Sequence, residues 1–179
     1  VPDAIRDGHR FSEQQMRQRE AAARDTMAPK NAPNRGLRFV RPDNNVFALG
    51  LAVNHLMGKP AFAGLKFGEW SRVLVGHINR KHFWFIVDER DQVQGFMGWA
   101  LATQERAEAW LAGLGDFRSE DSYGDHVIAN AWSANSTGVH RFMVATGRGL
   151  FAPYRAVYFK RYYLDGRIRV VRLALGGRL

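Results

Sequence analysis

The chain has no cysteine. That absence removes disulfides, thiolate metal ligands and a cysteine nucleophile together, and says little about compartment. Long apolar runs are missing too: nothing approaches the ~20 residues a bilayer-spanning helix needs. Proline is sparse, and four of the six (Pro2, Pro29, Pro33, Pro42) fall within residues 1–45. Acidic residues almost vanish from one region, since residues 138–179 hold only Asp165 against nine Lys and Arg. The start, Val1-Pro2-Asp3, shows neither an initiator Met nor an apolar leader, so a processed or trimmed N-terminus is expected.

What is present fits one domain plus an extension. Hydrophobic residues make up 46% of the chain and aromatics 12%, enough for a single core and too much for a chain disordered throughout. The net charge of +9 divides into +3 over residues 1–45, −2 over 46–137 and +8 over 138–179. A basic end of this kind attracts an acidic protein, an anionic membrane surface or a nucleic acid. The candidate contacts for such an anionic partner are Arg148, Arg155, Lys160, Arg161, Arg167, Arg169 and Arg172.

Residues 1–45 read as a polar arm. Ser12 and Gln15 form a capping-box pattern opening a helix through about Asp25. Its apolar face is only Met16 and alanines, marginal in isolation. The arm is therefore expected to lie on the domain or, preferably, on a neighbouring chain. The domain, residues 46–179, begins with Asn45 as N-cap of a helix over Val46–Leu56, stopped by Gly58 and Pro60. A second helix is expected over Gly68–Asn79. His82–Val87 and Val93–Ala100 read as a hairpin turned by Glu89–Gln92. Thr103 caps a helix with Ala107, Trp110, Leu111 and Leu114 on one face. A loop over Ser119–Asp125, a strand over His126–Ser133 and a helix over Val139–Leu150 follow. Val157–Leu164 and Arg167–Leu175 flank Asp165-Gly166, which reads as a two-residue type I′ turn. This order predicts a mixed α/β (α+β) fold with a largely antiparallel sheet flanked by helices.

Several residue groups invite chemical readings, each beside a plainer one. His55 sits near a helix end and reads first as a packed histidine. His77 and His82 are five apart with no H-E-x-x-H spacing, so no metal site is predicted. Asp125-His126 with Ser133, Ser136 and His140 suggests a triad, but no nucleophile elbow accompanies it. Gly147-Arg148-Gly149 matches no phosphate loop and reads as a helix terminator. Tyr154, Tyr158, Phe159, Tyr162 and Tyr163 interleave with Arg155, Lys160 and Arg161. That pattern can stack bases, yet no RNP, KH or zinc-finger motif appears, and a one-sided apolar sheet accounts for it.

Five stretches, in order, carry a family likeness. They are the hairpin ending Gln94-Gly95-Phe96-Met97-Gly98-Trp99-Ala100 and the helix Glu105–Leu114. The loop Glu120-Asp121-Ser122-Tyr123-Gly124-Asp125 leads to a strand with Trp132. Last come Val139–Phe151 and the basic final strands. Over roughly Leu49–Gly177 the chain resembles the RTX toxin-activating lysine acyltransferases. The resemblance implies a GNAT-like fold and fatty acyl transfer from acyl carrier protein to internal lysines of a protoxin, using a His and an Asp. It also implies a bacterial, cytoplasmic protein, peripheral to a membrane at most. In that chemistry a neutral imidazole takes the lysine proton and a carboxylate orients the imidazole.

Here the chain departs from the pattern. Placing Pro60 on the family's Pro puts Phe62 at the His position. Placing Trp132 on the family's aromatic puts Ala131 at the Asp position, beside Asn130, and Ala134-Asn135-Ser136 replaces Pro-Phe-Gly. Losing both partners removes a contribution on the order of 10²–10⁴-fold. The expectation is a non-catalytic relative serving as a subunit of a larger assembly, gripped through the arm and the basic hairpin. It needs no cofactor; an acyl-carrier thioester enters only in the alternative, an active lysine acyltransferase.

Overall fold

Among the described residues, six strands lie side by side in chain order, and the helices between them cover both faces of the sheet. The computed structural model describes residues 36–114, 123–163 and 165–175. The strands are β1 (Arg38–Val40), β2 (Phe83–Val87), β3 (Val93–Ala102), β4 (His126–Ala134), β5 (Ala156–Tyr162) and β6 (Ile168–Ala174). Neighbours are antiparallel except β4 and β5. The helices are α1 (Asn45–Leu56), the single turn α2 (Pro60–Ala63), α3 (Phe67–Asn79), α4 (Gln104–Ala112) and α5 (Thr137–Phe151).

The helix expected over residues 12–25 lies outside the described residues. Residues 38–40, expected within the arm, form β1 and pair Arg38 with Val87, Phe39 with Ile86 and Val40 with Phe85. The sheet therefore begins before the boundary expected at residue 45. Asn44, not Asn45, caps α1, its side chain accepting from the Phe47 N–H at 2.9 Å. Gly147 and Gly149 do not end α5, which runs on to Phe151 with Pro153 just beyond. Gly147 is buried against Trp132 and Phe151, where a Cβ would make only ordinary contacts from 3.6 Å. The last hairpin is not a two-residue turn. Tyr163 N–H donates to Arg167 C=O and Gly166 N–H to Tyr163 C=O, which leaves three connecting residues, with Gly166 at φ +81°. This is the pattern of a three-residue hairpin, whose left-handed position glycine fills.

Packing separates the two faces. Ala48, Ala52 and Leu56 of α1 and Trp70, Leu74 and Ile78 of α3 cluster with Phe83, Phe85, Phe96 and Ala131. On the opposite face Val139, Met143 and Phe151 of α5 meet Ile86, Met97, Trp99, Val127 and Ala129. Ala107 and Leu111 of α4 pack with Ala102, Ile128 and Tyr158. In β4 the alternation slips. Ala100 pairs with Ile128 and Gly98 with Ala131, so Ala129 and Asn130 together oppose Trp99. That is a β-bulge, and it turns Trp132 and Ala134 to the α5 face while Ala131 faces α1 and α3.

Gly98 is fitted to that arrangement. A Cβ there would stand 2.7 Å from His77 Cδ2 and 3.3 Å from the Ala131 Cβ. His77 is 1% exposed and has little room to yield. Gly98→Ala is expected to lower stability by about 1–3 kcal/mol, read as a lower urea midpoint. An unchanged midpoint contradicts the crowding.

Candidate functional site

The bulge faces Ala131 towards the cluster on which Phe62 also packs. Ala131, 2% exposed, belongs to the α1–α3 cluster, and Phe62, on the turn α2, packs against the same cluster. Pro60 opens that turn, where its missing N–H costs nothing. The Phe62 ring lies 6.4 Å from the Trp70 ring at 54°. The region where the resemblance places an imidazole and a carboxylate is thus lined by hydrocarbon.

Behind it stands His77 of α3, buried and flanked by Asn130 and the Trp99 backbone. Burial, with Arg80 next in weight, holds its pKa down to about 3, although Asn130 and Trp99 act to raise it. Neither neighbour closes a well-formed bond: both ring nitrogens and Asn130 Oδ1 are buried without a hydrogen-bond partner among the protein atoms. A neutral, enclosed imidazole beside an amide that cannot ionise is poorly placed to take a proton from an incoming amine.

The other candidates fall elsewhere. His55 lines a cavity of about 460 Å³ with Leu51, Asn54, Lys59, Asp91, Gln92, Val93 and Asn135. Burial and the nearby Lys59 lower the His55 pKa to about 4. Lys59 Nζ donates to Asn135 Oδ1 at 2.5 Å, joining the α1–α2 connection to the end of β4. The His82 ring stacks on Trp99 at 5.6 Å and 16°. Its backbone N–H donates to the His77 carbonyl at 2.8 Å and its charge adds to the lowering of the His77 pKa, but no ring-to-ring hydrogen bond joins the two. Asp125 Oδ1 contacts His126 Nδ1 at 2.7 Å, and Asp125 Oδ2 accepts from Arg155 at 2.6 Å. Ser133 lies seven residues along β4 from His126, roughly 23 Å away at strand rise. Ser136 caps α5, accepting from Val139 N–H at 3.2 Å, so no triad assembles.

Two features escaped the sequence reading. β4 and β5 pair only over His126–Ile128 and Ala156–Tyr158, so the sheet opens into a wedge beyond them. On the α5 side, Trp132 Nε1 donates to His140 Nδ1 at 3.3 Å. Burial, and then Arg161 of β5, lower the His140 pKa.

The basic residues divide. Arg155 is paired with Asp125, Arg167 with Asp165 at 2.7 Å, and Arg172 with Glu108 through both carboxylate oxygens. Arg148, Lys160, Arg161 and Arg169 have no carboxylate partner among the described residues. Lys160 lies over the Trp110 ring at 4.7 Å and Arg161 over Tyr163 at 5.1 Å. Tyr158 and Phe159 of the aromatic set pack inward.

His77 makes stability depend on acid. Its folded pKa is below the 6.5 of the free group. Its contribution is therefore complete above about pH 6.5 and is lost as pH falls towards 3. His77→Leu is expected to flatten part of the fall in urea midpoint between pH 7 and 4, leaving the shares from His55, His82 and His140, whose pKa values are also lowered. An identical pH profile in the variant contradicts a buried neutral imidazole.

Among solved structures, the chain is similar to one described as histone acetyltransferase HPA2 and related acetyltransferase from Corynebacterium glutamicum. The TM-score is 0.50 and the identity 9%, over 80% of this chain and 98% of that one. No protein-family model matches the chain, and no curated protein matches it. At that identity the likeness speaks to fold and stops short of the toxin-activating family. The chain has a GNAT-like acetyltransferase fold: a six-stranded, mostly antiparallel sheet flanked by helices.

Proposed function

We propose that this chain is a binding subunit built on an acyltransferase fold, a relative of the toxin-activating lysine acyltransferases that has lost proton transfer. One observation carries the reading: Phe62 and Ala131 pack on a single hydrophobic cluster. A lysine side chain is protonated near neutral pH and attacks a thioester only after losing that proton. Phenyl and methyl groups accept none. His77, the imidazole behind them, is 1% exposed and out of an amine's reach. The partners fitting this reading are proteins met through the arm of residues 1–45 and the basic hairpin, with an anionic membrane surface second. No helix among the described residues is long and apolar enough to cross a membrane.

A second reading, an active acyl-carrier-dependent lysine acyltransferase, draws on His140. That imidazole is accessible, beside the wedge, and held by Trp132. The two readings separate when the full chain is incubated with an acyl-carrier thioester and a lysine-bearing polypeptide and acylation is followed by intact mass. No acyl adduct above the thioester-only control is expected. Acylation that disappears in His140→Ala would establish the second reading instead.

The replaced pair is not restored by simple reversal. Ala131→Asp puts a carboxylate into a 2% exposed position beside Gly98, where the adjoining His77 imidazole is neutral and cannot balance its charge without itself being protonated in the core. It is expected to cost about 3 kcal/mol or more, seen as a lower urea midpoint at pH 7 that partly recovers at pH 4. A midpoint equal to wild type would mean the position is more open than its packing indicates.

A further inference from the structure

β6 is the far edge of the sheet, pairing with β5 alone among the described residues. All its residues but Val171 are exposed. Two bonds set the phase of the ladder: Tyr163 N–H donates to Arg167 C=O at 3.0 Å, and Leu175 N–H to Arg155 C=O at 2.8 Å. Both fit the register that pairs Tyr162 with Ile168 and Ala156 with Ala174. The odd-numbered residues of β6 therefore bond to β5. Ile168, Val170, Arg172 and Ala174 turn their N–H and C=O groups to the open side.

Such an edge is usually guarded by proline, a bulge or charge. β6 has no proline, and its pairing with β5 runs without a register shift. Its guard is charge of one sign, positive. Arg169 stands directly across from Arg161, and neither has a carboxylate partner among the described residues. Like charges opposite one another destabilise a strand pair, and a third guanidinium, that of Arg167, shares the Tyr163 ring with Arg161. The other face of the strand carries Ile168 and Val170, 57% and 44% exposed, with its cations already engaged: Lys160, across from Val170, lies over Trp110, and Arg172 is held by Glu108. A second copy pairing here would add arginines to arginines, so charge argues for a different occupant.

We propose that the β6 edge takes an extended segment of a partner protein as a seventh strand, acidic on the Arg161–Arg169 face and apolar beside Ile168 and Val170. Arg169 bonds to β5, so against the incoming strand it occupies a non-hydrogen-bonded pair, where side chains approach most closely. A carboxylate there neutralises Arg169 and relieves its repulsion with Arg161. Main-chain bonds to Ile168, Val170 and Arg172 supply affinity, and alternation supplies register. The proposal rests on the binding-subunit reading, but its test involves no acyl transfer, so the two fail separately.

The test is fluorescence anisotropy of the full chain with a labelled peptide of about nine residues alternating Glu and Val, long enough to span such an edge. Controls are a peptide with the same residues in two blocks and one alternating Lys and Val. The alternating Glu–Val peptide is expected to bind and both controls to fail. Val170→Pro, which removes an outward N–H, and Arg169→Glu are each expected to weaken binding at least about tenfold. Arg169→Glu leaves an opposite-charge pair with Arg161 and so keeps the hairpin; it decides the matter if circular dichroism shows Val170→Pro unfolded. Equal binding of alternating and block peptides overturns the proposal. So does an affinity unchanged by Arg169→Glu. Phosphatidylglycerol vesicles or single-stranded DNA that displace the peptide, with folded Val170→Pro unaffected, would make this a general anion surface and also overturn it.

Discussion

Between Ile128 and Ala131, β4 carries one residue more than β3 opposite it, and the centre of the molecule is arranged around that mismatch. An extra residue reverses the alternation of every side chain after it. Val127 and Ala129 before the bulge and Trp132 and Ala134 after it all meet the α5 face. Ala131 turns the other way, onto the cluster that also receives Phe62. Asn130, at the bulge, is left beside His77, and Gly98 across the ladder leaves the space His77 fills. A carboxylate at 131 in this geometry would face aromatic and aliphatic packing, and the same packing makes Phe62 a natural occupant of its position.

The wedge depends on the same strand. β4 keeps its β3 partners to its end, through Gly95 with Ala134, while β5 keeps β6 through Tyr162 with Ile168. Beyond Ile128 and Tyr158 the two parallel strands follow different neighbours. Trp132 and His140 lie where the β4 side of this opening meets α5, and Arg161 lies on the β5 side. Side chains from distant parts of the sequence thus converge on an opening that neither strand forms alone.

Much of this was legible from periodicity, and the failures share a cause. The long helices and the two hairpins announced themselves because an apolar stripe at helical or alternating spacing reports local geometry. β1, three residues long, is too short to show a period and exists because β2 offers it an edge. The bulge was hidden: Asn-Ala within an apolar run looks like ordinary alternation, and only the β3 register reveals the extra residue. His77 and His82 were weighed together because they are close in sequence. Lys81, at φ +58°, turns the chain between them; the His82 ring then stacks on Trp99 while His77 fills the space left by Gly98. Phe62 and Ala131 became interesting through resemblance, and no spacing rule could have put them on one cluster. Lys59 and Asn135, joined at 2.5 Å, are a contact of tertiary origin with no local signature.

The distribution of charge ties these features to function. A site that moves protons keeps ionisable groups inside, where displaced pKa values serve chemistry. Around Ala131 the groups are apolar or neutral: Phe62 and Ala131 are hydrocarbon, Asn130 is an amide, and His77 is held uncharged by burial. The positive charge lies outside, concentrated after residue 138. Part of it is spent within the fold, since Arg155, Arg167 and Arg172 each hold a carboxylate. The remainder is not scattered as a merely solubilising charge would be. Arg161 and Arg169 face each other across one ladder rung at the sheet's open edge. That costs stability in the isolated chain and is relieved by a negative neighbour. The docking reading proposed above draws on both observations: a buried imidazole held neutral in the core, and paired arginines at the edge that a negative neighbour would balance.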